Sequence, residues 1–161
     1  MFIEVYDDDV PAVVWLFCGR SNTDEDHRRW LSSMQRLDPV MAARPLRAVA
    51  LLILDADNPP PPKEQRESIT TVARAIVGHT PLAVVTSSAL ARTIIAGLHL
   101  TRVVRFPLKG FADVDSAVRW LGTHSGLPEE EAAPALLPLV AEARAKEGRQ
   151  RASPQPFRPR R

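Results

Sequence analysis

Chemistry in this chain of 161 residues has to come from a small set of side chains. His27, His79, His99, His124 and the single Cys18 are the soft ligands available to a metal. A zinc site needs several of these at short spacing, and no HxxxH, HxH or CxxC is present. No metal is therefore expected, and the histidines read as surface or partly packed residues. Ser87 lacks a GxSxG elbow and an evident His or Asp partner, so the Ser87-Ser88 pair reads as a helix cap rather than a nucleophile. Cys18 ends an apolar run and reads as a small core residue. Seven glycines are spread singly, with neither GxGxxG nor GxxxxGK(S/T), so no phosphate-cradling loop and no cofactor are expected. These residues assemble no catalytic set.

The charge has a definite placement. Five of the 21 Lys/Arg follow Gly148 (Arg149, Arg151, Arg158, Arg160 and Arg161), leaving 16 against 19 Asp/Glu and a net charge of −3 for residues 1–148. The basic excess therefore belongs to a tail, which could contact nucleic acid or an anionic lipid surface through those arginines, or simply keep the chain soluble. Only Phe157 in that tail offers an aromatic for base stacking. A lone cysteine excludes an internal disulfide and fits a reducing compartment. The N-terminus lacks a signal-peptide pattern, and Arg47 to Asp55 is too short to span a bilayer, so a soluble, cytoplasmic protein is expected.

The elements that must position these side chains follow from periodicity. Phe2 to Tyr6 and Ala12 to Cys18 favour β structure and are separated by Asp-Asp-Asp-Val-Pro, which predicts a hairpin ended by Gly19. Ser21 or Thr23 can cap a helix that starts with Asp24, Glu25 and Asp26, carries Trp30, Met34 and Leu37 on one stripe, and ends at Pro39. Ala48 to Leu54 reads as a central buried strand leading to Asp55, Asp57 and Asn58. Pro59 to Pro62 must be extended, and a helix over Lys63 to Val77 turns Ile69, Val72 and Ile76 inward. Pro81 to Val85 is the next strand, followed by a helix with Leu90, Ile94 and Leu98 as its buried stripe. Arg102 to Phe106 reads as the last strand and Asp113 to Leu121 as a helix with Val114, Val118 and Leu121 inward.

This is an α/β chain: a mixed sheet of four to five strands, led by an antiparallel hairpin, then βαβαβα with helices flanking the sheet. Residues 1–124 form the predicted domain and 125–147 a helical extension, clearly helical only from Ala135 because Pro134 and Pro138 interrupt it. Residues 148–161 read as a disordered basic tail. Leu136, Leu137 and Val140 are apolar enough to dock on the core or on a second copy.

The order of elements over roughly residues 2 to 122 resembles the STAS domains of anti-sigma-factor antagonists and their relatives. Arg102-Val103-Val104-Arg105-Phe106 followed by Ala117-Val118-Arg119-Trp120-Leu121 looks like the last strand and helix of bacterial members of that group. The resemblance implies a non-enzymatic regulatory or scaffold role through protein contacts. It does not carry over the family's phosphorylation switch, because Leu54-Asp55-Ala56-Asp57-Asn58 runs into four prolines where the family has Asp-Ser-(Ser/Thr)-Gly-Leu. A second resemblance, to response-regulator receivers, rests on Asp7-Asp8-Asp9, Asp55, Thr86 and Lys109, with Gly110-Phe111 where a receiver has Pro-Phe. It implies Asp55 as phosphoacceptor, Asp8 and Asp9 as holders of Mg²⁺, and Thr86 and Lys109 as phosphate contacts. A receiver requires a helix directly after the acidic pair, whereas Val10 to Cys18 reads as a strand. The predicted hairpin therefore favours the first resemblance.

Overall fold

The computed structural model describes the chain except residues 8, 10, 11, 21, 22, 44–47, 77, 101–103, 126–128 and 153–161, and the side chains of 99, 100, 129 and 130. Two short apolar runs form β1 (Phe2–Asp7) and β2 (Ala12–Phe17), antiparallel from Phe2 opposite Phe17 to Asp7 opposite Ala12. The chain then alternates: α1 (Asp24–Ala42), β3 (Val49–Leu54), α2 (Lys63–Ala75), β4 (Leu82–Thr86), α3 (Ala89–Leu100), β5 (Leu108–Phe111), α4 (Val114–His124) and α5 (Glu129–Ala152). The five-stranded sheet has the order β1-β2-β3-β4-β5, with every pair after the hairpin parallel. The α/β class and the hairpin-led mixed sheet are as the sequence predicts.

Because each crossover advances one strand in the same direction, connections of one hand carry their helices to one face. On that face Val13, Trp15, Phe17, Ala50 and Leu52 meet Trp30, Met34, Leu37 and Met41 of α1, with Val72 and Ala73 of α2. On the other, Ile3, Val5, Val14, Leu16, Leu51 and Ile53 meet Ala117, Val118 and Leu121 of α4 and Ala132, Leu136, Leu139 and Ala143 of α5. β2 is buried on both sides throughout, which explains its unbroken apolar run. Trp15 keeps its polar atom satisfied there by donating from Nε1 to the buried Ser33 hydroxyl at 2.8 Å.

Four local expectations need correction. Helix α1 does not stop at Pro39 but runs to Ala42, so that Met41 completes its buried stripe and the amide of Ala43 donates to the Pro39 carbonyl. The last strand is Leu108–Phe111, not Arg102 to Phe106. Arg102 and Val103 lie outside the described residues, while Val104 and Phe106 are buried beneath the helices without belonging to a strand. The ladder starts where the Leu82 amide donates to the Pro107 carbonyl at 2.9 Å. The stripe of α3 is covered only at Leu98: Leu90 is 72% and Ile94 52% exposed, and Ile95, not Ile94, joins Leu98 against the core.

The fourth correction concerns the C-terminal region. α5 is one continuous helix from Glu129 to Ala152, with Pro134 and Pro138 inside it. Both prolines are exposed, on the side where helix carbonyls can tilt toward water and relieve the clash with the pyrrolidine ring. The opposite stripe, Ala132, Leu136, Leu139 and Ala143, is buried in the core. The region is thus an integral layer of the domain, and its helix passes Gly148 to include Arg149 and Arg151.

Candidate functional site

In an open parallel sheet the place to look for chemistry is the carboxyl edge of the strands. Register sets Leu54 beside both Phe17 and Thr86, so Cys18, Asp55 and Thr86 gather at that edge. Gly19 turns the chain out of β2 with φ +78°, a left-handed conformation costly for a side-chain-bearing residue. Its carbonyl accepts from Asn58 Nδ2 at 3.2 Å, and the Asp55 amide donates to the Phe17 carbonyl at 3.0 Å. The loop that carries Asp55 is therefore held by the end of β2.

Asp55 faces α5. Arg144 grips both its oxygens, Nη2 to Oδ1 at 2.8 Å and Nη1 to Oδ2 at 3.0 Å, and Nη1 also reaches Glu147 Oε2 at 2.9 Å. Arg151 Nη2 holds the other Glu147 oxygen at 2.7 Å. The Asp55 and Glu147 side chains are only 17% and 12% exposed. Donation to Asp55, opposed by burial and aided by Glu147, raises the Arg144 guanidinium above its ordinary value and keeps it charged. Cys18 Sγ completes the group: Sγ and one oxygen each of Asp55 and Glu147 lie within 4.8 Å of one another.

Such a triad has ligand atoms for a cation, but the two carboxylates are already matched by two guanidiniums. Burial, then the Glu147 charge, pushes the Cys18 thiol up to about 11, so with no cation beside it the thiol stays protonated near neutrality and is not a ready nucleophile. The arrangement is a charge-balanced latch fastening α5 to the sheet edge. Arg144→Ala is expected to destabilise by about 1–3 kcal/mol, less than for a deeply buried pair because the Arg144 side chain is 42% exposed. Adding Asp55→Asn should recover part of that loss by removing one of the two facing charges. Urea unfolding of the single and double variants measures the coupling; strictly additive costs would mean that the latch does not act as a unit.

The residues of the receiver-like set do not come together. Asp9 sits in the β1–β2 turn with its amide on Asp7 Oδ1 at 2.9 Å, beside the start of β2, while Asp55 follows the end of the parallel β3. A six-residue strand, about 20 Å, separates the two edges. Asp8 lies outside the described residues. Lys109 pairs with Ala83 near the start of β4 and its ammonium lies 5.4 Å from the Phe111 ring. Thr86 shares Asp55's edge, but its hydroxyl accepts from the Ser88 amide at 3.3 Å and its carbonyl from Arg92 at 2.7 Å, both local structural bonds. Ser88 is the cap of α3, accepting from the Ala91 amide at 3.2 Å. Of the tail arginines, Arg149 and Arg151 are helical, and Arg158, Arg160 and Arg161 lie outside the described residues.

Sequence reasoning missed Arg144 as the partner of Asp55, and Glu147 as the second carboxylate that Arg144 holds, since 89 positions separate residues 55 and 144 and no local spacing connects them. The only hint was the basic end of a helix. It also missed the exposed face of α3, where Ala89, Leu90, Thr93, Ile94 and Ala96 are exposed and none carries a charge. The one charged residue of that helix, Arg92, is turned to the Thr86 carbonyl. Between α1 and the sheet lies an apolar cavity of about 40 Å³ lined by Trp15, Met34, Leu37 and Met41, well below the volume of an organic substrate pocket. No helix among the described residues is long and apolar enough to cross a membrane. No family model, curated protein or solved structure matches the chain.

Proposed function

We propose that this chain is a non-enzymatic regulatory or scaffold domain of the STAS kind, working in the cytoplasm and binding another protein through the exposed face of α3. The single observation that carries the reading is the exposure of Leu90 and Ile94, 72% and 52%, on a helix face without a charged side chain in a protein whose residues are 25% charged. Leaving such a stripe in water forgoes the free energy of burial, which a partner supplies. The hairpin-led sheet and consecutive strand order support the family reading, and the committed charge pairs at the sheet edge support the absence of catalysis.

The partner that fits is a different protein presenting an uncharged apolar surface. Twelve residues of α3 make a helix about 18 Å long, too short to supply alone the roughly 1,200–2,000 Å² of a stable symmetric dimer. A photo-crosslinking residue at Ala89 is expected to capture that protein in native lysate, and one at exposed Thr71 on α2 is not. Leu90→Asp with Ile94→Asp should abolish the adduct and change stability by no more than about 0.5 kcal/mol, as for other exposed positions. An adduct that survives the double change, equal capture from Thr71, or capture of a second copy of this chain would overturn the assignment.

A further inference from the structure

α2 is held more lightly than α1, α4 and α5. Its buried residues are Gln65, Val72 and Ala73, it follows the Pro59–Pro62 segment, and Pro62 supplies no side-chain cap. Two polar bonds tie it to α1: Gln65 Nε2 donates to Asp24 Oδ1 at 2.9 Å, and beyond its other end the Gly78 amide donates to Asp38 Oδ1 at 3.0 Å. Beside the first bond lies His27, 5% exposed, with its ring 5.9 Å from that of Trp30. His27 Nε2, Trp30 Nε1 and Gln65 Oε1 are all buried without a hydrogen-bond partner among the described residues.

His27 and Gln65 both belong to the opening turns of their helices, where the unpaired amides make the environment electropositive. The charged group acting on the imidazole is Asp24, one turn earlier on its own helix; α2 presents the uncharged Gln65 through its backbone, and the aromatic neighbour is Trp30. Asp24 is the acceptor that an imidazolium would need, and it is the same carboxylate that holds Gln65. Were Asp24 drawn to His27, Gln65 Nε2 would lose its bond and join Oε1 in being unpaired among the described residues.

We propose that the α1–α2 contact is a pH-sensitive joint, in which proton uptake by His27 draws Asp24 from Gln65 and releases the start of α2 while the sheet and α1 stay in place. This inference is independent of the partner-binding reading, since it concerns a different helix and a different test.

The direction follows from linkage. Burial, opposed by Asp24 and the Gln65 backbone, holds His27 below its ordinary value of 6.5. Above that value the ring is neutral with α2 docked or released, and pH has no effect on the joint. Below it the released state takes a proton that the docked state does not, so docking weakens as pH falls from 6.5 toward the lowered value. Asp26 does not act in this window. Burial raises it, but the Thr23 hydroxyl, the Met1 ammonium and the Phe2 amide outweigh that and hold it below its ordinary 3.8, so its stabilisation fades only in stronger acid.

Hydrogen exchange of the full chain, corrected for intrinsic rates, at about pH 7.5 and about pH 5.5 tests the joint within the range where histidine titrates. Peptides over 63–75 are expected to lose protection several-fold at the lower pH, with 12–17 and 49–54 unchanged, and His27→Gln should remove the difference. NMR titration of the wild-type chain keeps the test open should that variant misfold: α2 amide shifts should follow the His27 ring. Protection of 63–75 that is the same at both pH values, a loss that persists in His27→Gln, or α2 amides that ignore the His27 titration would each overturn the proposal.

Discussion

A chain cut after Ser125 is expected to lose cooperative folding. Without α5 the face formed by Ile3, Val5, Val14 and Leu16 would lose its cover of Ala132, Leu136, Leu139 and Ala143. Leu136 is fully buried, and Leu136→Ala alone is expected to destabilise by about 2–5 kcal/mol, the sum of lost transfer energy and the cavity left behind. Against a total stability of about 5–15 kcal/mol for an ordinary domain, that single change consumes a large share. Leu136→Asp, which places a carboxylate where no partner exists, should unfold the chain. Near-ultraviolet circular dichroism and urea titration report the outcome. A truncated chain that kept fixed tertiary signals and a cooperative transition would show that α5 is an accessory and not a layer of the core.

Trp30 is the corresponding point on the other face. Its ring lies edge-on to Trp15 and Phe17, at centroid distances of 6.4 and 5.7 Å, and is 6% exposed. Trp30→Ala is expected to cost about 3–5 kcal/mol, the range for aromatic residues truncated in a core. Trp30→Phe should cost under about 1.5 kcal/mol, because it keeps an aromatic ring against Phe17 and removes an indole N–H that has no acceptor among the described residues. Urea unfolding of the two variants separates packing from polarity. Equal losses would mean that the indole N–H makes a bond that matters, whereas a small loss for phenylalanine assigns the site to packing.

The contrast between β2 and β5 shows where local pattern suffices. Six consecutive buried residues, Ala12–Phe17, announce a strand covered on both faces whatever lies around it. Leu108–Phe111 holds a lysine and a glycine and announces nothing; it is a strand because β4 offers an edge and the Pro107 carbonyl starts the ladder. The neighbouring Val104 and Phe106 have the stronger β pattern, yet they are used to close the helical face. At Pro134 and Pro138 propensity argued for a break, but two prolines four residues apart share one helix face, and that face points to water.

The candidate site divides in the same way. Asp55 and Thr86 could be placed at strand ends from sequence, because each follows an apolar run that stops in polar residues. Their partners could not, since the Arg144 grip on Asp55 and the position of Lys109 at the far edge depend on register and on where α5 crosses the sheet. His27 carried no motif, and its significance comes from burial between two helix starts.

The residue types at which the chemistry began, lone histidines, one cysteine and dispersed glycines, settled by spacing alone that no sequence motif for a metal or nucleotide site is present. Sequence alone also determined the alternation of strands and helices and the antiparallel start, because apolar period and turn residues are local properties. Only the tertiary structure decided which stripes are covered. Leu136 is buried because α5 folds back on the free face of the sheet, and Leu90 is exposed because α3 turns Ile95 and Leu98 to the core instead. Burial is a relation between two surfaces, and periodicity describes one of them.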